Sequence, residues 1–160
     1  MKLLVAAVGR LKRGPERELS ERYRERAEKA GRNLGFRGLD VVEVDEGRSR
    51  RAEDRAAEEA AALAKILPEN AAIVVLDERG KTLSSQDIAG LIGGWRDHGR
   101  AAAAFVIGGA DGLGESLLRR AELRLAFGSA TWPHQLVRIM LLEQLYRAVT
   151  ILAGHPYHRS

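Results

Sequence analysis

Three uninterrupted apolar runs do most to limit what this chain can fold into. They are "KLLVAAVG" (2–9), "AAIVVLD" (71–77) and "AAAAFVIGG" (101–109). A strand with one wet face alternates polar and apolar residues, whereas a strand covered on both faces does not. Each run therefore predicts a strand sandwiched between helices. The stretches between them supply those helices. From Pro15, a favoured first-turn residue, a helix is expected to about Ala30, with Leu19, Tyr23, Ala27 and Ala30 on one face. "SRRAEDRAAEEAAALAKIL" consists largely of strong helix formers and is ended by Pro68. "SSQDIAGLIGGWRDHG" opens on a serine N-cap, and "ESLLRRA" is a short helix. "PHQLVRIMLLEQLYRAVTILAG" has Pro133 in its first turn and Gly154 just past its end. "GLDVVEVDE" and "LRLAFGS" complete the strands. The expectation is an α/β fold in a single domain over 1–160, a mostly parallel sheet with helices on both faces.

The last helix does not show the single stripe of a surface helix. Leu136, Ile139, Met140, Leu141, Leu142, Leu145, Val149, Ile151 and Leu152 wrap almost all round it. Such a helix needs cover on two sides. A subunit interface is the preferred second cover, with a central core helix as the alternative. Arg138 stands alone on this helix, while Glu143 and Arg147 form an i,i+4 pair.

Composition excludes several chemistries. There is no cysteine, so disulfides, thiolate nucleophiles and cysteine metal sites are ruled out. The opening "MKLLVAAVGRLKR" mimics a signal peptide, but its apolar core (Leu3–Val8) is too short, and a cytoplasmic protein is expected. Net charge is +4, with 15 Lys/Arg against 13 Asp/Glu in the first sixty residues and 6 against 4 in the last sixty. This mild, spread excess suits a nucleic-acid partner and equally suits ordinary solubilising charge.

In parallel sheets ligands bind at the carboxyl ends of the strands. Three loops leave such ends: "LDERGKTLSS", "GGADGLG" and "FGSATWPHQ". "GKT" is not a phosphate loop, because the glycine that motif needs five residues earlier is Val75. "GGADGLG" contains no dinucleotide fingerprint. Its four glycines still demand sharp turns or close backbone approach, to a ligand or simply within a turn. "FGSATWPHQ" offers small residues against which a flat ring could lie and exposed amides for a polar edge; a structural turn with a core tryptophan is the plainer alternative. "HPYH" sets His155 and His158 three apart, but no further ligand stands nearby for the three or four a zinc site wants. There is no serine-hydrolase elbow, and no carboxylate pair stands out.

"LLVAAVGRLK", "VVLDERGKTLSSQDIA", "FVIGGADGLG", "TWPHQLVRIMLLEQLYRA" and the closing "HPYHR" together resemble the RlmH family, ribosomal large-subunit methyltransferases of the SPOUT class. The match spans essentially the whole chain. The resemblance implies a deep trefoil knot holding the cofactor site, roughly residues 72–153, and a homodimer. It implies S-adenosyl-L-methionine as methyl donor, and as substrate a pseudouridine in helix 69 of 23S rRNA, methylated at ring nitrogen 3 on assembled ribosomes. Carried onto this chain, cofactor contacts fall on Leu76, Gly108, Gly109, Phe127, Gly128, Ser129, Ala130, Thr131 and Trp132. The acceptor is an imide nitrogen that must lose its proton. His158 is a candidate base, since a histidine changes charge near neutral pH. Tyr157 could stack on a base, and Arg159 and Arg138 could hold phosphate or the imide anion. The tail is then expected to become ordered by substrate. A non-catalytic RNA- or ribosome-binding module on the same fold is the alternative, separated from the enzyme by whether the protein binds the methyl donor.

Overall fold

The five strands of the sheet all run parallel, in the order β2-β1-β4-β3-β5. This is seen in a computed structural model that describes residues 1–159. The strands are β1 (Lys2–Val8), β2 (Leu39–Val44), β3 (Ala71–Lys81), β4 (Ala102–Ile107) and β5 (Leu123–Leu125). The helices are α1 (Pro15–Gly31), α2 (Ala52–Ile66), α3 (Ser85–Asp97), α4 (Glu115–Arg120) and α5 (His134–Leu152). Among the described residues no helix is long and apolar enough to cross a membrane.

Alternate residues of each strand feed two cores. Leu3, Val5, Ala7, Val74 and Phe105 face α1, α3 and α5. Leu4, Ala6, Val8, Ile73, Val75 and Val106 face α2 and α4. All six residues of β4 are buried, which is why its sequence shows no alternation. Local signals fix the helix ends. Ser84 accepts a hydrogen bond from the Asp87 N–H while the Asp87 carboxylate accepts from the Ser84 N–H, a complete capping box at the start of α3. Gly154, at φ +67°, takes the left-handed conformation that ends α5 and turns the chain back.

β3 is longer than its apolar run. It carries on to Lys81 with a register break, Leu76 and Lys81 both pairing with Leu125. A Cβ on Gly80 would lie 2.6 Å from the Arg124 backbone. The glycine of "GKT" is thus a requirement of strand packing. β5 is shorter than expected and ends at Leu125, leaving Ala126 onward as loop.

The middle of α5 is covered within its own chain, packed against α1 on one side and α3 on the other, with Leu141, Leu142, Leu145, Ala148 and Val149 buried. Core packing accounts for these residues, whereas Leu136, at the start of the same helix, is left exposed. The large apolar side chains left exposed are Leu91, Trp132 and Leu136. Leu142 is 0% exposed. Leu142→Ala should therefore cost about 2–5 kcal/mol, transfer plus residual cavity. Urea denaturation should show a lower midpoint at unchanged m-value.

Candidate functional site

The chain steps inward from β3 to β4, then jumps back over β3 to β5. Where strand order reverses, the loops that follow these strands part and leave a crevice. A cavity of about 690 Å³ opens there, at the carboxyl ends of β3, β4 and β5. Small-molecule sites run roughly 300–1,000 Å³. Eight residues expected at a cofactor line it: Leu76, Gly108, Gly109, Phe127, Gly128, Ala130, Thr131 and Trp132. Ser129 is not among the lining residues.

The loop after β5 is closed on itself. The Trp132 indole N–H donates to the Phe127 carbonyl at 3.0 Å, and the Thr131 hydroxyl donates to Glu78 at 3.1 Å. Among the described residues the backbone N–H groups of Gly128 to Thr131 have no acceptor. They stay free for a ligand's polar edge. Trp132 is 42% exposed, at the cavity rim and not in the core.

The glycine loop after β4 is shaped by α2. A Cβ on Gly109 would lie 2.6 Å from Glu59 Oε2, and one on Gly114 would lie 2.7 Å from the Ala60 Cβ. These two glycines let the loop lie down on a helix behind it. The ligand-approach reason expected from the sequence is at most half of their explanation. Arg55 of α2 pins the loop further, donating to both oxygens of Asp111 at 2.7 and 3.0 Å.

The cavity also has a charged rim for which the sequence assigned no role: Asp77, Glu78, Arg79, Glu115, Arg124 and His134 all line it. Asp77, Glu78, Arg79 and His134 fall within the loops picked out at the strand ends, whereas Glu115 and Arg124 lie outside them. The signal available was position, since Asp77 to Arg79 follow the buried part of β3 directly and His134 opens α5.

The four residues expected to be catalytic are not in this cavity. Arg138 does not stand alone: it is buried, donating to Glu43 of β2 at 2.6 Å and to the Gly9 carbonyl at 3.0 Å. Burial alone would raise the Glu43 pKa. Hydrogen bonds from Arg138 and from the Leu11 N–H outweigh that and hold its carboxyl below the usual range. Arg138 thus ties α5 to β2 and to the end of β1.

The tail is seated on α5 by the chain's own residues. The Tyr157 hydroxyl donates to Glu143 at 3.0 Å, its ring lies 4.5 Å from that of Tyr146, and the Arg147 guanidinium sits 4.8 Å above it. Arg147 is itself paired with Glu143 at 2.5 Å. Burial, and then Glu143, push the Tyr157 hydroxyl well above the ordinary phenol range, so it remains a neutral donor. His158 Nδ1 lies 3.4 Å from Arg147. A guanidinium can only donate, so Nδ1 accepts and Nε2 carries the hydrogen. Nε2 is buried and has no partner among the described residues. Arg159 is exposed. Along α5, the tail's contacts at Glu143 and Arg147 lie six and ten residues beyond Val137 of the cavity lining, about 9 and 15 Å at 1.5 Å per residue. Tyr157, His158 and Arg159 do not line the cavity of their own chain.

Comparison with known proteins was made on this frame. The family model described as "Predicted SPOUT methyltransferase" matches residues 1–158. A protein of Bradyrhizobium sp. (strain ORS 278), named ribosomal RNA large subunit methyltransferase H, is 63% identical over 160 residues, covering 100% of this chain and 99% of that one. The protein of the same name from Rhodopseudomonas palustris (strain BisB18) is 61% identical, with both chains covered in full. Among solved structures, the SpoU methyltransferase AviRb from Streptomyces viridochromogenes in complex with the cofactor AdoMet overlays with a TM-score of 0.42 at 13% identity. The overlay covers 97% of this chain and 58% of that one.

The Arg138–Glu43 pair makes two predictions. Arg138→Met leaves a half-buried carboxylate unpaired and should cost on the order of 3 kcal/mol in urea denaturation at neutral pH. In the unaltered protein the stability contributed by Glu43 is present above the ordinary glutamate range. It is lost as pH falls below about 4.3 toward the lowered native value. Denaturation at stepped pH should show that acid-side loss in the wild type and its absence in Arg138→Met.

Proposed function

The chain belongs to the SPOUT methyltransferase family, and from that premise we propose that it methylates N3 of a pseudouridine in helix 69 of 23S rRNA, on assembled ribosomes. The observation that carries this reading is identity of about 60% along the full length to large-subunit ribosomal RNA methyltransferases. The chain is a ribosomal RNA methyltransferase of the SPOUT class, and S-adenosylmethionine is its methyl donor. The cofactor site is assigned to the knot region, roughly 72–153.

The cavity's chemistry suits that donor. Leu76, Phe127 and Val137 are apolar cover for a flat base, the free N–H groups of Gly128 to Thr131 suit its polar edge, and Asp77 and Glu78 suit hydroxyl or ammonium groups. Bound there, S-adenosylmethionine supplies a methyl already activated on a sulfonium. The protein's share is alignment and exclusion of water. Trp132 is assigned to cover the open side.

The tail is assigned to the acceptor nucleotide. Tyr157 stacks or positions the base, Arg159 holds phosphate, and His158 either donates from Nε2 to a developing anion or, freed from Arg147, takes the imide proton. We read the active form as a homodimer in which one chain's tail serves the other's cavity. Two observations support this: Tyr157, His158 and Arg159 do not line the cavity of their own chain, and Leu91, Trp132 and Leu136 are exposed.

Labelled methyl should pass to ribosomes that carry pseudouridine in helix 69 and not to ribosomes that lack it. Transfer to neither, by protein that binds the donor, would sink this reading. His158→Ala should lower the single-turnover rate about 10²-fold with little change in donor affinity. Mixing His158→Ala with Gly109→Ala subunits should restore part of the activity, because one mixed site regains both intact halves. No restoration in verified mixed dimers would place tail and cavity of the same chain together.

A further inference from the structure

Glu59 is a buried acid that neither the fold nor the proposed reaction has used. It lies on α2, 4% exposed, directly behind the glycine loop. Its Oε1 accepts the Gly47 N–H at 3.1 Å. Its Oε2 is buried and has no partner among the described residues. Among those residues Glu59 also has no salt bridge. A buried carboxyl oxygen without a donor is costly. The position of this one is specific. Where a side chain at Gly109 would begin, Oε2 stands 2.6 Å away. The backbone N–H of Ala110 has no acceptor among the described residues, Gly109 is bridged to Gly112 within the loop, and both Gly109 and Ala110 line the cavity.

An unsatisfied acceptor therefore faces a glycine segment with an unsatisfied donor at Ala110, and the cavity lies along the same segment. Glycine makes the backbone rotation that would join them sterically open. The rest of the loop is held on the same helix. Arg55 clamps Asp111, Gly114 lies against Ala60, and Gly47, at the other end of Glu59, belongs to the β2–α2 loop.

We propose that Glu59 is a positioning residue for the methyl donor: its free oxygen captures the backbone N–H of Ala110 and so sets the glycine loop in its donor-holding conformation. The proposal rests on the reading of the cavity as the S-adenosylmethionine site. Glu59 touches no substrate. It acts through the loop, and it links that loop to the loop after β2.

Glu59→Gln is the decisive substitution, because it keeps an acceptor for Gly47 and puts an N–H donor where Oε2 stands. Calorimetry with S-adenosylmethionine on the full chain should show a Kd raised about tenfold or more. The thermal midpoint should stay level or rise, since a buried carboxylate without a salt-bridge partner has become a neutral amide. Glu59→Asp, too short to span Gly47 and the loop together, should not rescue. A Gln variant with wild-type Kd overturns the proposal. So does one whose Kd and thermal midpoint worsen together, which marks a structural role. Wild-type protein that binds no S-adenosylmethionine would instead fail the cavity assignment itself, before any variant is compared.

Discussion

A sheet covered on both faces leaves its strands nowhere to be polar except at their ends. That constraint organises the whole molecule. β1 and β4 are buried almost from end to end, so charge and hydrogen-bonding capacity collect in the loops at the carboxyl edge. The reversal of strand order at β3 and β4 then opens those loops around one cavity. The site lies there because the core excludes it from everywhere else.

The same edge needs anchors, and each is a polar group drawn inward with its partner. Arg138 reaches from α5 to Glu43 and Gly9. Arg55 reaches from α2 to Asp111. Glu59 takes the Gly47 N–H. The two arginines join elements far apart in sequence, Glu59 joins α2 to the loop before it, and breaking one strands a buried or half-buried charge. The edge is thus rigid where the helices hold it and free where the loops face the cavity.

Much of this was legible in the sequence. The three apolar runs announced strands buried on both faces, and Ser84 and Gly154 marked helix ends by mechanisms that act within a few residues. The loops carrying the cavity could be picked out because strand polarity decides which end a ligand meets. What Gly80 and Gly109 pack against was not legible, because a glycine records that something comes close and the sequence does not say what. For Gly80 the neighbour is the Arg124 backbone, and for Gly109 it is Glu59. The partner of Arg138 was not legible because it lies 95 residues away.

The sequence by itself determined the layers, the parallel sheet and the edge at which chemistry collects, because periodicity and helix caps act through neighbours along the chain. Only the tertiary structure decided that the middle of α5 packs into the core, that α2 is the bed of the glycine loop, and that the tail folds back on Glu143 and Arg147 away from its own cavity. Those outcomes depend on which surfaces meet after the chain has closed. A helix that is apolar all round records only that it must be covered, and the identity of the cover is settled by packing.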